Sequence, residues 1–205
     1  MSPSARTLLL SNAATLGAAL AFGWDPGWLL WPYWMQSVVI GWFARQRMLA
    51  LDRFSTEGFT SNGKRVPEDA DGKRSTANFF ALHYGFFHAG YLVFLWHEHR
   101  PHAGWDGFAL LACGASFVLS QRATFAAQHT ADLRGKPNLG SMMFTPYLRV
   151  VPMHLAIIAG AGVGGGTGML LWFTLLKTAS DLALDAIDRR MAVKAADRVA
   201  AGLPS

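Results

Sequence analysis

GKRSTANFFALHYGFFHAGYLVFLWHEHR (residues 72–100) opens on a Lys-Arg pair, runs from 77 to 96 without a charged side chain, and closes on a tryptophan and a short polar turn. A helix needs about 20 mostly apolar residues to cross the hydrocarbon core of a bilayer. Residues 77–96 supply that length, and Ser75 or Thr76 stands ready as the N-cap. The charges on either side differ sharply. The connection before the run carries Arg45, Arg47, Arg53, Lys64, Arg65, Lys73 and Arg74, while the turn after it carries only Arg100. Cations sorted to one side of an apolar span are the positive-inside signature of a membrane protein.

Extending this pattern outward gives an all-α fold, a polytopic transmembrane helical bundle of six spans. They cover residues 7–22, 26–44, 77–96, 105–125, 146–161 and 168–187, within a single domain over 1–190 followed by a tail over 191–205. Arg6 precedes the first span. Arg122, Arg134, Lys136 and Arg149 lie at or near the connection between spans four and five, and Arg189, Arg190, Lys194 and Arg198 follow span six. With six spans all of these fall on one side, so both termini are expected in the cytoplasm of a bacterial cell, with the chain in its inner membrane. Tryptophan favours bilayer interfaces, and Trp24, Trp28, Trp31, Trp96, Trp105 and Trp172 all map to the outer ends of their spans.

Composition agrees. Of 205 residues, 52% are hydrophobic and 15% charged, against about a quarter charged in soluble domains. A net charge of +5 would raise nucleic acid as a partner, but these cations flank apolar spans. The expected partners are the lipid bilayer and anionic headgroups at its cytoplasmic face, with a homo-oligomer or larger membrane complex open and no nucleic acid. Cys113 is the single cysteine, which rules out an internal disulfide and a CxxC zinc motif. Arg6, the run from Leu8 and Ala19-Leu20-Ala21 imitate a signal peptide; an uncleaved first helix is expected instead. GAGVGGGTG (160–168) lacks the Lys-Ser/Thr ending of a phosphate loop and reads as an outer turn. The segment over 49–74 reads as a mobile cytoplasmic loop. Pro32 is expected to kink span two, Thr145-Pro146 to open span five and Pro152 to interrupt it.

Ionisable groups inside spans are costly and point to function. Here they are His83 and His88 in span three, His154 in span five, and Lys177 with Asp181 in span six, joined by the polar Gln36 in span two. At 1.5 Å of rise per residue, Gln36, His83, His154 and Asp181 lie roughly 9–12 Å from the inner ends of their spans, and His88 and Lys177 roughly 15–17 Å. Converging faces would make one buried site in the inner half of the bilayer. Ala81, Gly85, His88, Ala89 and Leu92 share a face of span three, a small-residue stripe expected to meet a neighbouring helix. His83 points about 140° from His88 at 100° per residue, so one straight helix does not offer both to one metal. Lys177 and Asp181 form an i,i+4 pair that keeps each other charged in low dielectric. The plainer reading has each histidine bonded to a carbonyl or hydroxyl, and Lys177 snorkelling to headgroups. HEHRPH (97–102), with His97, His99 and His102, reads as a solvated outer turn.

PYWMQSVVIGWF (32–43), LHYGFFHAGYLVFL (82–95), TPYLRVVPMHLAI (145–157) and LLKTASDL (175–182) resemble an uncharacterised family of bacterial multi-pass integral membrane proteins. The resemblance implies fold and topology and no known activity. It implies a carboxylate where this chain has Gln36, and a histidine near Ser120-Gln121 where this chain has glutamine. Three functions stay open. One is an intramembrane site binding a cofactor, metal or proton through His83, His88, His154, Lys177, Asp181 and Gln36. Its concrete version is a haem, or a transition metal, held between His83 or His88 and His154. The others are an accessory subunit of a larger complex, and a small transporter or channel acting as an oligomer. No nucleophile elbow, paired catalytic carboxylates or HExxH motif argues for an enzyme.

Overall fold

Apolar runs with polar ends become helices that outlast the runs at one end or both. In the computed structural model, residues 26–100 and 105–163 are described, with positions 13, 17, 20–21, 168, 171–172, 174–180, 182–183 and 186. Among these the chain forms α1 (Pro26–Leu49), a small hairpin of β1 (Thr60–Ser61) and β2 (Lys64–Arg65), α2 (Ala70–Glu98), α3 (Trp105–Arg134) and α4 (Leu139–Val163). Residues 174–180 are helical as well. Most of the first predicted span, the tail and Asp181 lie outside the described residues. Two helices, α2 and α3 over Gly107–Arg134, are long and apolar enough to cross a membrane.

The chain divides into two units, one of Leu29–Tyr147 and one of Met1–Trp28 with Leu148–Ser205. In the first, α1 and α2 run antiparallel. Trp31 Nε1 donates to the His99 carbonyl at 2.7 Å, Trp34 Nε1 to the His88 carbonyl at 3.0 Å, and Arg45 to Asn78 at 3.0 Å. The close point is Gly41, where a Cβ would stand 2.3 Å from the Tyr84 ring. Only glycine admits that ring against the α1 backbone. Helix α3 runs parallel to α1: Met35 reaches over Gly114, and Phe43 packs on Phe125 with ring centroids 5.6 Å apart. Arg47 then clamps Asp132 with two hydrogen bonds, from Nε to Oδ2 and from Nη2 to Oδ1.

Helix α2 carries two stripes of different chemistry. Thr76, Ala77, Phe80, Tyr84, His88, Tyr91 and Leu95 recur every three or four residues and are buried. Phe79, Leu82, Phe86, Val93 and Trp96 recur the same way on the outside and are exposed, Leu82 by 77%. A surface helix of a water-soluble protein keeps polar residues on its outer face; this one places hydroxyls and an imidazole inside and large apolar groups outside. Of the predicted small-residue face only His88 is buried at a helix contact. Gly85 and Ala89 are exposed, and nothing lies within 4 Å of a Cβ at Gly85 or Gly90. Bulky side chains fill the helix contact, and the small partner is Gly41 on the opposite helix.

The helix limits correct the predicted ones. Helix α2 starts at Ala70, capped by Asp69, whose Oδ1 accepts from the Gly72 amide at 2.8 Å. Thr76 instead donates its hydroxyl to the Gly72 carbonyl. Helix α4 starts at Leu139 with Asn138 Oδ1 accepting from the Ser141 amide at 3.0 Å, so Pro146 and Pro152 fall inside it. Pro32 likewise sits within α1, which continues through it. Charge marks where a helix meets water, whereas a side chain able to bond free amides marks where it begins.

The segment expected to be a mobile loop is folded. Asn62 and Gly63, with φ of 51° and 74°, make the tight turn of the β1–β2 hairpin. Leu51, Phe54, Thr56 and Val66 are buried beneath it. The hairpin segment then docks on the α3–α4 connection. The Ser55 amide donates to the Pro137 carbonyl, the Leu139 amide to the Ser55 carbonyl, and Asn138 Nδ2 to the Glu57 carbonyl. Phe59 covers Gly140, where a Cβ would lie 2.9 Å from its ring. These bonds place the two most basic connections at the same end of this unit.

Glu68 ties that cap together. Its carboxylate accepts from Arg65 Nη2 at 2.5 Å, Lys136 Nζ at 2.7 Å and the Thr56 amide at 3.1 Å. The Lys136 hydrogen bond is the main cause that holds its carboxyl down at about 2, from an ordinary 4.5. A lowered carboxyl contributes above its unfolded value and loses its effect as pH falls through its folded one. Exchange protection of the Thr56 amide is therefore expected to be full above pH 4.5 and to fade towards about 2. Glu68→Gln should speed that exchange at neutral pH, measured by hydrogen–deuterium exchange; unchanged protection would count against the clasp.

Candidate functional site

The buried stripe of α2 meets α1 in a cluster of polar and aromatic groups. Tyr84 donates its hydroxyl to the Ser37 carbonyl at 3.0 Å and lies 3.1 Å from the Ser37 hydroxyl. One turn on, His88 stacks on Tyr84 with ring centroids 4.2 Å apart. The Tyr91 ring stands edge-on to His88 at 5.8 Å. This arrangement follows from spacing, because residues 84, 88 and 91 recur on one helix face.

His88 is 4% exposed. Its Nδ1 lies 2.9 Å from the Tyr84 carbonyl oxygen. A carbonyl only accepts, so Nδ1 carries the proton and donates. Nε2 is left as an acceptor, and it is the one buried side-chain polar atom without a hydrogen-bond partner among the described residues. Leaving such an atom unsatisfied costs about 1–3 kcal/mol. A phenylalanine would fill the same space without that penalty but would forgo the hydrogen bond from Nδ1 to the Tyr84 carbonyl.

His83 follows the plainer expectation. It is exposed, its Nδ1 is 2.9 Å from the Tyr147 hydroxyl, and its ring stacks on Phe79 at 5.4 Å. Tyr147, from the start of α4, also packs edge-on against Tyr84 at 5.4 Å and Phe80 at 5.7 Å. The two histidines, which point to different sides of α2, are thus linked through a pair of tyrosines. Gln36 is half-buried on α1. His154, exposed on α4, and Lys177, half-buried in the 174–180 helix, belong to the other unit. Asp181 lies outside the described residues. Among the described residues no three His, Cys, Asp or Glu side chains gather as a metal site.

The chain matches a family of unknown function over residues 1–198, nearly its whole length. The chain belongs to the DUF6498 family. No curated protein and no solved structure matches it. Membership in DUF6498 accords with the resemblance only in that the family is uncharacterised, and it assigns no activity.

Sequence reading passed over Ser37, Trp34, Tyr84, Tyr91 and Tyr147. A signal for two of them was present, since Tyr84 and Tyr91 flank His88 at helical spacing. Tyr147 carried none, because its partners lie more than sixty residues away on α2.

At the other end of α2, Arg100 sits over the Trp96 ring at 5.2 Å, a cation–π contact. His97 pairs with Glu98 at 2.8 Å, both well exposed. His97 and Glu98 are the last residues of α2 and half-buried His99 packs on Phe94, so HEHR is a helix end with exposed charges more than a solvated turn; His102 lies outside the described residues.

Proposed function

We propose that this protein is a multi-pass integral membrane protein of the bacterial inner membrane, with a polar site for a cofactor, metal or proton inside the bilayer, centred on His88. The inverted α2 helix carries this reading. Its exposed stripe is large and apolar and its buried stripe holds Thr76, Tyr84, His88 and Tyr91. Such a helix fits a lipid surround, where no polar outer face is needed. The 29 residues of α2 rise about 43 Å, longer than a hydrocarbon core of about 30 Å. The excess corresponds to the polar first turns that join the cap.

The sorting of cations supports the six-span reading with both termini in the cytoplasm. Arg53, Lys64, Arg65, Arg74, Arg134 and Lys136 stand exposed on or beside the folded cap, and Arg100 at the opposite end of α2. The cap is the part that faces anionic headgroups. An impermeant maleimide should label Asn62→Cys only from the cytoplasmic side, in a Cys113→Ala background; labelling from outside would reverse the orientation.

Phe86→Arg tests the membrane itself. Phe86 is 74% exposed at the middle of the apolar run. At the surface of a soluble protein this change shifts stability by no more than about 0.5 kcal/mol. At the centre of a membrane helix arginine costs about 2.5 kcal/mol or more. Loss of protein from the carbonate-washed membrane fraction is expected. Unchanged yield, or wild-type protein washed out by carbonate, would overturn the membrane reading.

An accessory role in a larger complex has one observation in its favour. Among the described residues of α3 only Asp132 is buried, and Leu111 and Leu119 project outward. Lipid covers such a face as well as a protein would. Native purification that yields only this chain favours the first reading.

A further inference from the structure

We propose that the edge of the α1–α2 seam nearest the cap holds one anionic phospholipid, its phosphate between Arg45 and Arg74 and its acyl chain beside Trp42, a proposal that rests on the membrane reading of α2. Two short rows line this edge: Val38, Trp42 and Arg45 on α1, and Arg74, Asn78 and Gly85 on α2. Each row follows the three- and four-residue spacing of one helix face. The rows meet where Arg45 Nη2 donates to Asn78 Oδ1 at 3.0 Å, which puts them on the same side of the seam. Arg74 stands one turn before Asn78 and is exposed. The two guanidinium groups therefore border one small patch at the inner end of the apolar run.

Pairing of the nearby charges singles out these two cations. Arg47 is matched by Asp132, Lys73 donates to the Leu51 carbonyl, and Arg65 and Lys136 share Glu68. Arg45 gives one donor to a neutral amide, and Arg74 bonds no described residue. Asp71, the carboxylate one turn before Arg74, is exposed and makes no ion pair among the described residues. Two forks of guanidinium donors match the two free oxygens of a phosphodiester. The rest of the edge tells a lipid phosphate from a free one. Trp42, one turn deeper than Arg45, is 61% exposed, as suits a tryptophan at the headgroup level. Nothing lies within 4 Å of a Cβ at Gly85, which stands about 10 Å further along α2 than Asn78. An acyl chain covers that length of apolar surface, whereas inorganic phosphate leaves it bare.

The full chain, purified in detergent, is titrated with dioleoylphosphatidylglycerol, and bound lipids are counted by native mass spectrometry. One lipid is expected to bind ahead of all later ones. Dioleoylphosphatidylcholine has the same chains and no net charge, and should bind at least about fivefold more weakly. Arg45→Gln with Arg74→Gln should weaken the first binding about thirtyfold, at about fivefold per cation. Arg53→Gln with Lys64→Gln removes the same charge from exposed positions elsewhere on the cap and should bind as wild type. Gly85→Leu projects into open space and leaves both arginines in place, which covers the case of an arginine pair needed for folding. It should abolish the lead of the first lipid by filling the path of its chain. Equal loss in the two double variants means diffuse attraction to a basic surface and overturns the site, as does equal binding of the two lipids. Displacement of the lipid by millimolar inorganic phosphate assigns the patch to a free anion and overturns the lipid. Protein that resists carbonate extraction but prefers no lipid removes the site and leaves the membrane reading intact; protein that washes out removes both.

Discussion

Gly41→Val is expected to destabilise the protein by about 3–4 kcal/mol, at or above the top of the usual range for overpacking a close contact. The Cβ alone would stand 2.3 Å from Cε1 and 2.8 Å from Cδ1 of Tyr84. The ring has little room to retreat, because Phe80 lies 4.9 Å behind it, Tyr147 5.4 Å to its side and His88 4.2 Å above. Displacing it also strips the Tyr84 hydroxyl of Ser37, and each lost hydrogen bond adds about 1 kcal/mol. Thermal unfolding in detergent measures the effect. Adding Tyr84→Ala should recover part of it, because the two residues share one contact. If Gly41→Val matches wild type, or Tyr84→Ala only adds a second loss, the two helices do not meet at this point. The change should also weaken any ligand bound at His88, which stacks directly on the displaced ring.

Asp132→Ala is expected to cost about 3 kcal/mol, the lower end of the range for breaking a buried ion pair. The carboxylate is 7% exposed and Arg47 25%, so the orphaned guanidinium keeps some access to water. The bonding is two-pronged, which holds the ends of α1 and α3 in register. Asp132→Asn keeps one acceptor and should lose less. Pairing Arg47→Met with Asp132→Leu should recover most of the loss, since apolar replacements of similar volume remove the desolvation penalty along with the pair. Unfolding of the four proteins side by side decides the matter; equal stability of Asp132→Ala and wild type would mean that the pair is a solvated surface contact.

How much could be read in advance varies from place to place. Helices α1, α2 and α3 were legible because their apolar runs are long and sharply bounded. Their true ends were not, because Asp69 and Asn138 cap helices several residues outside the apolar runs. The Asn62-Gly63 dipeptide was a readable hairpin signal, yet its polar neighbours suggested a loop without structure. What folds that segment is its docking on Pro137, Asn138 and Gly140, residues some eighty positions away.

Charge sorting and hydropathy are additive along the chain, so the sequence by itself determined the helical class, the long apolar helices α2 and α3 and the grouping of the two most basic connections. Depth along a helix follows from counting, and the place of His88 deep in a long apolar run marks it as a costly polar group on that ground alone. Which face of α2 turns inward is a different kind of quantity. Sequence favoured the small-residue stripe that includes His88, and the contact that forms keeps His88 but runs instead through Phe80, Tyr84 and Tyr91. Gly41 decided between them, because it lets a tyrosine ring rest on the α1 backbone. The tautomer of His88 likewise follows from a hydrogen bond of 2.9 Å to one carbonyl oxygen, and only the tertiary structure shows that Nε2 meets no described donor. Packing depends on pairs of residues far apart in the chain, and no single segment contains that information.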